Sequence, residues 1–144
     1  MAVFKTNLTK SIIKQILLKY YGLKVNKVKY VNNGSANLFH LFCDHGEYML
    51  KEHQRKFNKI AIEREYKIYQ HLGLKGFRVP KYVMSVTGNI FIDYQGKYII
   101  LQEYIKGKTG QFNKGNKKEL RDCAVKLVEI INSMRDLDLI FSGL

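Results

Sequence analysis

Leu8, Ile12, Ile16 and Tyr20 recur at the spacing of one helix face, with Ile13 and Leu17 beside them. Thr6, Asn7 and Thr9 offer N-caps before this run and Gly22 a stop after it, which predicts a helix over 8–21. The period then changes from helical to alternating. Over 27–32, Val28 and Tyr30 alternate against Lys27, Lys29 and Val31; residues 38–43 are nearly all apolar, as in a strand buried on both faces. After the turn Asp44-His45-Gly46, a third strand over 47–53 places Glu47, Met49 and Lys51 on one face and Tyr48, Leu50 and Glu52 on the other. A helix is predicted over 58–72, ended by Gly73, Gly76 and Pro80, then a short strand over 81–85. A hairpin follows, 90–94 and 97–104 about the turn Gln95-Gly96. Gly107, Gly110 and Gly115 mark a polar linker, and a last helix over 117–134 is expected to bury Leu120, Ala124, Leu127, Ile131 and Met134.

The order is helix, three strands, helix, two strands, linker, helix. Short turns between the early strands make the sheet antiparallel, and the helix between strands three and four must cover one of its faces. The expected fold class is α+β, a five-stranded antiparallel sheet with a covering helix, plus N- and C-terminal helices.

Composition narrows the setting. A length of 144 residues, 46% hydrophobic and 26% charged, suits one domain able to bury a core. The formal charge of +13 raises nucleic acid, a membrane surface or a phosphorylated ligand as partners. The lysines and arginines are scattered from Lys5 to Arg135 in no block, which reads as a solvated surface. Tyr20, Tyr21 and Tyr30 could stack on bases, so salt-dependent nucleic-acid binding stands as a minor rival, and nucleic acid is not the expected partner. Apolar runs such as Ile99-Ile100-Leu101 are far short of the roughly 20 residues a membrane span needs, so no membrane is expected. The first ten residues lack the apolar core of a signal peptide, and Cys43 and Cys123 form no CxxC pattern. Both cysteines are expected to be reduced core thiols in a cytoplasmic protein.

One residue breaks its pattern. On a helical wheel of 58–72, Ala61, Ile62, Ile68, Tyr69 and Leu72 share an apolar arc, and Glu65 lies in its middle. A carboxylate in a core-facing arc needs a partner. Lys51, on the strand before this helix, is one candidate; an edge position with the head in solvent is the other reading. Two further segments bear on chemistry. Small residues in Asn33-Gly34-Ser35-Ala36-Asn37 let backbone N–H groups approach an anion, although a plain turn has the same composition. The run from Leu101 to Gly107 leaves the fifth strand for the glycine linker, as a hinge or as an ordinary strand end.

Taken in order, these segments resemble the small lobe of the aminoglycoside phosphotransferase and choline kinase-like superfamily. The nearest look is to CotS-type spore-coat kinase-like and homoserine-kinase-like members. The residues that carry it are Asn33-Gly34-Ser35-Ala36-Asn37 with Leu38-Phe39-His40-Leu41, then Tyr48-Met49-Leu50-Lys51, Arg64-Glu65-Tyr66, Phe77-Arg78-Val79-Pro80, and the strand pair and hinge from Tyr94 to Gly107. The resemblance covers about residues 20–110 and extends weakly over 117–134. It implies a protein-kinase-like N-lobe that binds ATP, weakly or as a vestige. Lys51 would meet the α/β-phosphates, Glu65 would orient Lys51, and Gly34, Ser35 and Ala36 would cover the phosphates. The Glu103 carbonyl and the Ile105 amide would meet adenine. The family's catalytic loop carries His-Gly-Asp with a downstream Asn, and its metal site Asp-x-Asp; these accept the hydroxyl proton and hold Mg²⁺. Here no histidine follows His71, and Asp136-Leu137-Asp138 comes too soon after the hinge, so it reads as a loop. No catalytic or metal-binding residue is therefore assigned, and Mg²⁺ belongs to the complete family.

The expected organisation is an N-terminal helix over 1–24, a nucleotide-binding lobe over 25–106, and a hinge linker with the first helix of a missing C-lobe over 107–144. The expected function is that of a truncated phosphotransferase lobe. The alternative is a non-catalytic binding or scaffold module, meeting a separate C-lobe polypeptide or a second copy of itself. The spore coat enters as a setting through the resemblance alone.

Overall fold

A computed structural model describes residues 5–31, 36–54, 58–108 and 113–137. Helix α1 (Lys10–Tyr21) starts where the Thr9 hydroxyl accepts the Ile12 N–H and stops at Gly22 (φ 64°), whose N–H donates to the Leu17 and Leu18 carbonyls. Strands β1 (Val25–Val31), β2 (Asn37–Cys43) and β3 (Gly46–Glu52) then form an antiparallel meander. Helix α2 (Lys59–Leu74) follows, opened by the Asn58 carboxamide, which accepts the Ala61 N–H. The hairpin of β4 (Ile92–Tyr94) and β5 (Lys97–Glu103) turns through Gln95 and Gly96 (φ 52° and 76°), the paired positive φ values that a tight hairpin requires. Helix α3 (Lys117–Ser133) begins with a capping box between Asn116 and Glu119.

The five strands lie in the order β1-β2-β3-β5-β4, every neighbour antiparallel. One sheet face packs on α1. Ile13 and Leu17 of α1 meet Leu41, Leu50, Ile99 and Leu101 of the sheet, all fully buried. Register sets Phe39 opposite Leu50 and Leu50 opposite Leu101, so this face is a continuous apolar row across the central strands. Lys51 and Glu65 meet on the other face, where the opening turns of α2 lie.

Four expectations need correction. Residues 38–43 are not buried on both faces: Phe39 and Leu41 are buried against α1, while Leu38, His40 and Phe42 are half-buried. The short strand at 81–85 reduces to one bridge, Tyr82 to Gln102, because the chain turns away at once. There Ser85 N–H donates to the Asn89 carbonyl and Val86 N–H to that of Tyr20. Helix α3 buries none of its residues: Leu120, Leu127 and Ile131 are exposed, as is Ala124, and Met134 is half-buried. The helix instead turns Lys126, Glu129 and Ile130 toward a groove shared with Leu72, Phe77 and Val79. Both cysteines are free, but Cys123 is exposed on α3 and only Cys43 packs against the core.

The chain divides into two compact units, Met1–Tyr66 with Pro80–Tyr104, and Lys67–Val79 with Ile105–Leu144. The first holds the sheet, α1 and the opening turns of α2. Within the second, the His71 ring donates to the Ser133 carbonyl, and Lys75 pairs with Asp136. Among the described residues, no helix is long and apolar enough to cross a membrane.

Candidate functional site

The alternation of β3 places Lys51 opposite to the α1 core, because Leu50 and Glu52 on either side are buried against it. From that face the Lys51 ammonium reaches Glu65, 3.4 and 3.5 Å from the two carboxylate oxygens. Both side chains are about one-fifth exposed (23% and 22%). A second group holds the acid: the Tyr82 hydroxyl donates to Glu65 Oε1 at 2.8 Å. The Tyr82 ring also packs on Tyr66, one residue along α2. Glu65 is thus braced by a cation from β3 and by a hydroxyl from the segment that bridges β5. Nothing in the sequence pattern marked Tyr82 for this role, since its contact depends on a single bridge.

The rest of this face follows from register. His40 lies opposite Met49, Met49 opposite Gln102, and Gln102 bridges Tyr82, giving one row across four chain segments. Beyond the row, Tyr104 stacks on His40 with centroids 3.9 Å apart and planes at 19°, and His40 bonds Glu47 at 2.8 Å. An aromatic platform therefore lies toward one end of β3 and a fixed ammonium toward the other. His53, just past β3, is held near pKa 4 by burial first and then by the Lys51 charge, opposed by Glu65. It is neutral at pH 7 and adds no charge beside Lys51.

The remaining assigned residues fall as follows. Ala36 is buried at the entry to β2, while Gly34 and Ser35 lie outside the described residues. Glu103 ends β5 with its N–H donating to the Lys81 carbonyl. Ile105 is half-buried and begins the later segment of the second unit. Asp136 is occupied by Lys75 and His71, and Lys75 holds its carboxyl below the usual range; Asp138 lies outside the described residues. A cleft of about 470 Å³ lined by Lys5, Lys10, Val28, Asn37 and Phe39 opens on the α1 side of the sheet, away from Lys51.

No protein-family model matches the sequence, and no curated protein is similar to it. Solved structures do match in fold. The spectinomycin phosphotransferase APH(9)-Ia, in complex with ADP and spectinomycin, aligns with 93% of this chain at 13% identity and TM-score 0.71. The amicoumacin kinase hAmiN, in complex with AMP-PNP, Ca²⁺ and Ami, aligns with 92% at 12% identity and TM-score 0.78. A Ralstonia eutropha JMP134 protein assigned as an aminoglycoside phosphotransferase aligns with 86% at 17% identity and TM-score 0.56. The chain spans 40%, 42% and 36% of those three chains. Such low identities establish a likeness of fold: the α+β architecture is that of a kinase-like N-lobe.

Proposed function

We propose that this chain carries the nucleotide-binding lobe of a kinase-like phosphotransferase, and that ATP, bound weakly, is its ligand. The observation that carries the reading is the Lys51–Glu65 pair, braced by Tyr82, on the sheet face away from the core. A lysine has a long flexible stem, and a partly buried acid that fixes its head gives a phosphate a pre-placed charge. The neighbours APH(9)-Ia and hAmiN hold ADP and AMP-PNP, which supports a nucleotide as the ligand class. Lys51 would contact the α/β-phosphates with Glu65 as its positioning residue. Gly34, Ser35 and Ala36 would lie over the phosphates, and the Glu103 carbonyl would accept from the base. The reading assigns binding, not transfer, to these 144 residues. The CotS-like relationship and the cytoplasmic setting belong to the same proposal.

Isothermal titration with ATP and Mg²⁺ tests it. Lys51→Met is expected to weaken ATP at least about tenfold, the worth of a charge-assisted phosphate contact. Equal affinities of the folded variant and the parent protein would remove the assignment.

A second reading, a binding module, rests on α3. Leu120, Leu127, Val128 and Ile131 are 54–73% exposed on one arc of that helix. Contiguous apolar exposure of this kind usually marks an interface. The partner would be a helical lobe carried on another polypeptide, or a second copy of this chain. Light scattering after size exclusion is expected to show concentration-dependent association that Leu127→Lys abolishes. A monomer at all concentrations would count against the second copy, and failure of pull-downs against the separate lobe.

A further inference from the structure

Gln102 is 7% exposed, yet its Nε2 meets no acceptor among the described residues. A buried amide left in this state keeps its full desolvation penalty, and native folds leave few of them. A leucine or methionine there would fill the same space without that penalty, so the amide is not explained by the scaffold. Its place in the register supplies a reason. Gln102 lies opposite Met49, two residues along β3 from Lys51, and beside Tyr82, the brace of Glu65. It is also two residues from Tyr104, which stacks on His40. The amide therefore lies on the ligand face between the aromatic platform and the fixed ammonium. Met49 and His40, which flank it on this face, are half-buried.

We infer that Gln102 reads the base of the bound nucleotide and selects adenine. This rests on the nucleotide-binding reading above. A carboxamide offers one donor and one acceptor side by side. Adenine presents their complement, the N6 amino donor next to the N7 acceptor, and pairs with Gln or Asn through two hydrogen bonds. Guanine presents O6 and N7 on the same edge, two acceptors, so one of the two bonds is lost. The Glu103 carbonyl, the next residue along, would take the second N6 hydrogen. A buried polar group that is paired only when the right base is present discriminates strongly, because the wrong base leaves it unpaired.

The test compares ATP and GTP, each with Mg²⁺, by isothermal titration on the parent protein, Gln102→Leu and Lys51→Met. Gln102→Leu is expected to lower ATP affinity roughly 10- to 100-fold and GTP affinity far less, collapsing the preference for ATP. Lys51→Met is expected to weaken both nucleotides alike and leave the preference intact. Urea denaturation without nucleotide gives a readout that a structural role would move the other way: Gln102→Leu should hold or raise the midpoint. An unchanged ATP-to-GTP ratio in folded Gln102→Leu overturns the inference while leaving the Lys51 reading standing. So does a lowered midpoint with the ratio retained. Should the leucine variant fail to fold, Gln102→Met takes its place under the same criteria. Absence of any nucleotide binding to the parent protein overturns both readings.

Discussion

Lys97→Met is expected to lower the unfolding free energy by about 3 kcal/mol, the toll of stranding a buried charge. Glu52 is the charge at stake. Its side chain is 3% exposed, on the α1 side of β3, and it is held by the Lys97 ammonium at 3.1 Å and the Asn37 amide at 2.7 Å. Asn37 in turn accepts from the Tyr30 hydroxyl at 3.2 Å. The four groups come from β1, β2, β3 and β5, so a single polar rung crosses the sheet at the edge of its apolar core. Removing Lys97 takes away the compensating charge and leaves Asn37 as a neutral partner, which places the loss at the lower end of the range for broken buried pairs. Urea denaturation of Lys97→Met measures it. The double variant Lys97→Met with Glu52→Gln should recover most of the loss, because the uncompensated charge is gone. A double variant no better than the single one would show that Lys97 acts through packing of its stem, and the ionic account would fall.

The same rung explains part of what the sequence could and could not disclose. The alternation of 47–52 was readable, and it put Lys51 and Glu52 on opposite faces, where the structure has them. Glu65 announced itself by sitting inside an apolar arc, because helical period is a local signal. The helix caps at Thr9 and Gly22 and the turn at Gln95-Gly96 were legible for the same reason: each is settled within a few residues. The polar rung was not legible, since Tyr30, Asn37, Glu52 and Lys97 come together only through strand pairing across the sheet. Tyr82 and Gln102 were hidden likewise, one behind an isolated bridge and the other inside a strand whose even-numbered residues lie opposite the α1 core. The error at α3 has another origin. Its apolar stripe is real, but periodicity reports which residues share a face and not whether anything covers that face.

Leu50→Ala is expected to cost about 3–4 kcal/mol, a large part of the 5–15 kcal/mol typical of a domain. Leu50 has no exposed surface and sits opposite Phe39 on one side and Leu101 on the other, at the centre of the row packed on α1. Truncation removes the buried methyl groups and leaves a cavity that three paired strands cannot close by moving. Lys51→Met, one residue along, should change stability by about 1 kcal/mol or less, as expected for a partly exposed ion pair whose acid keeps its Tyr82 contact. The two neighbours thus separate scaffold from site: the first variant should lose denaturation midpoint, the second nucleotide affinity. Chemical denaturation of both, with ATP titration of both under folding conditions, reads the contrast. The comparison also probes register, because a one-residue slip of β3 would exchange the two faces. A mild Leu50→Ala beside a severely destabilised Lys51→Met would mean that the lysine points into the core, and no phosphate could then reach its ammonium.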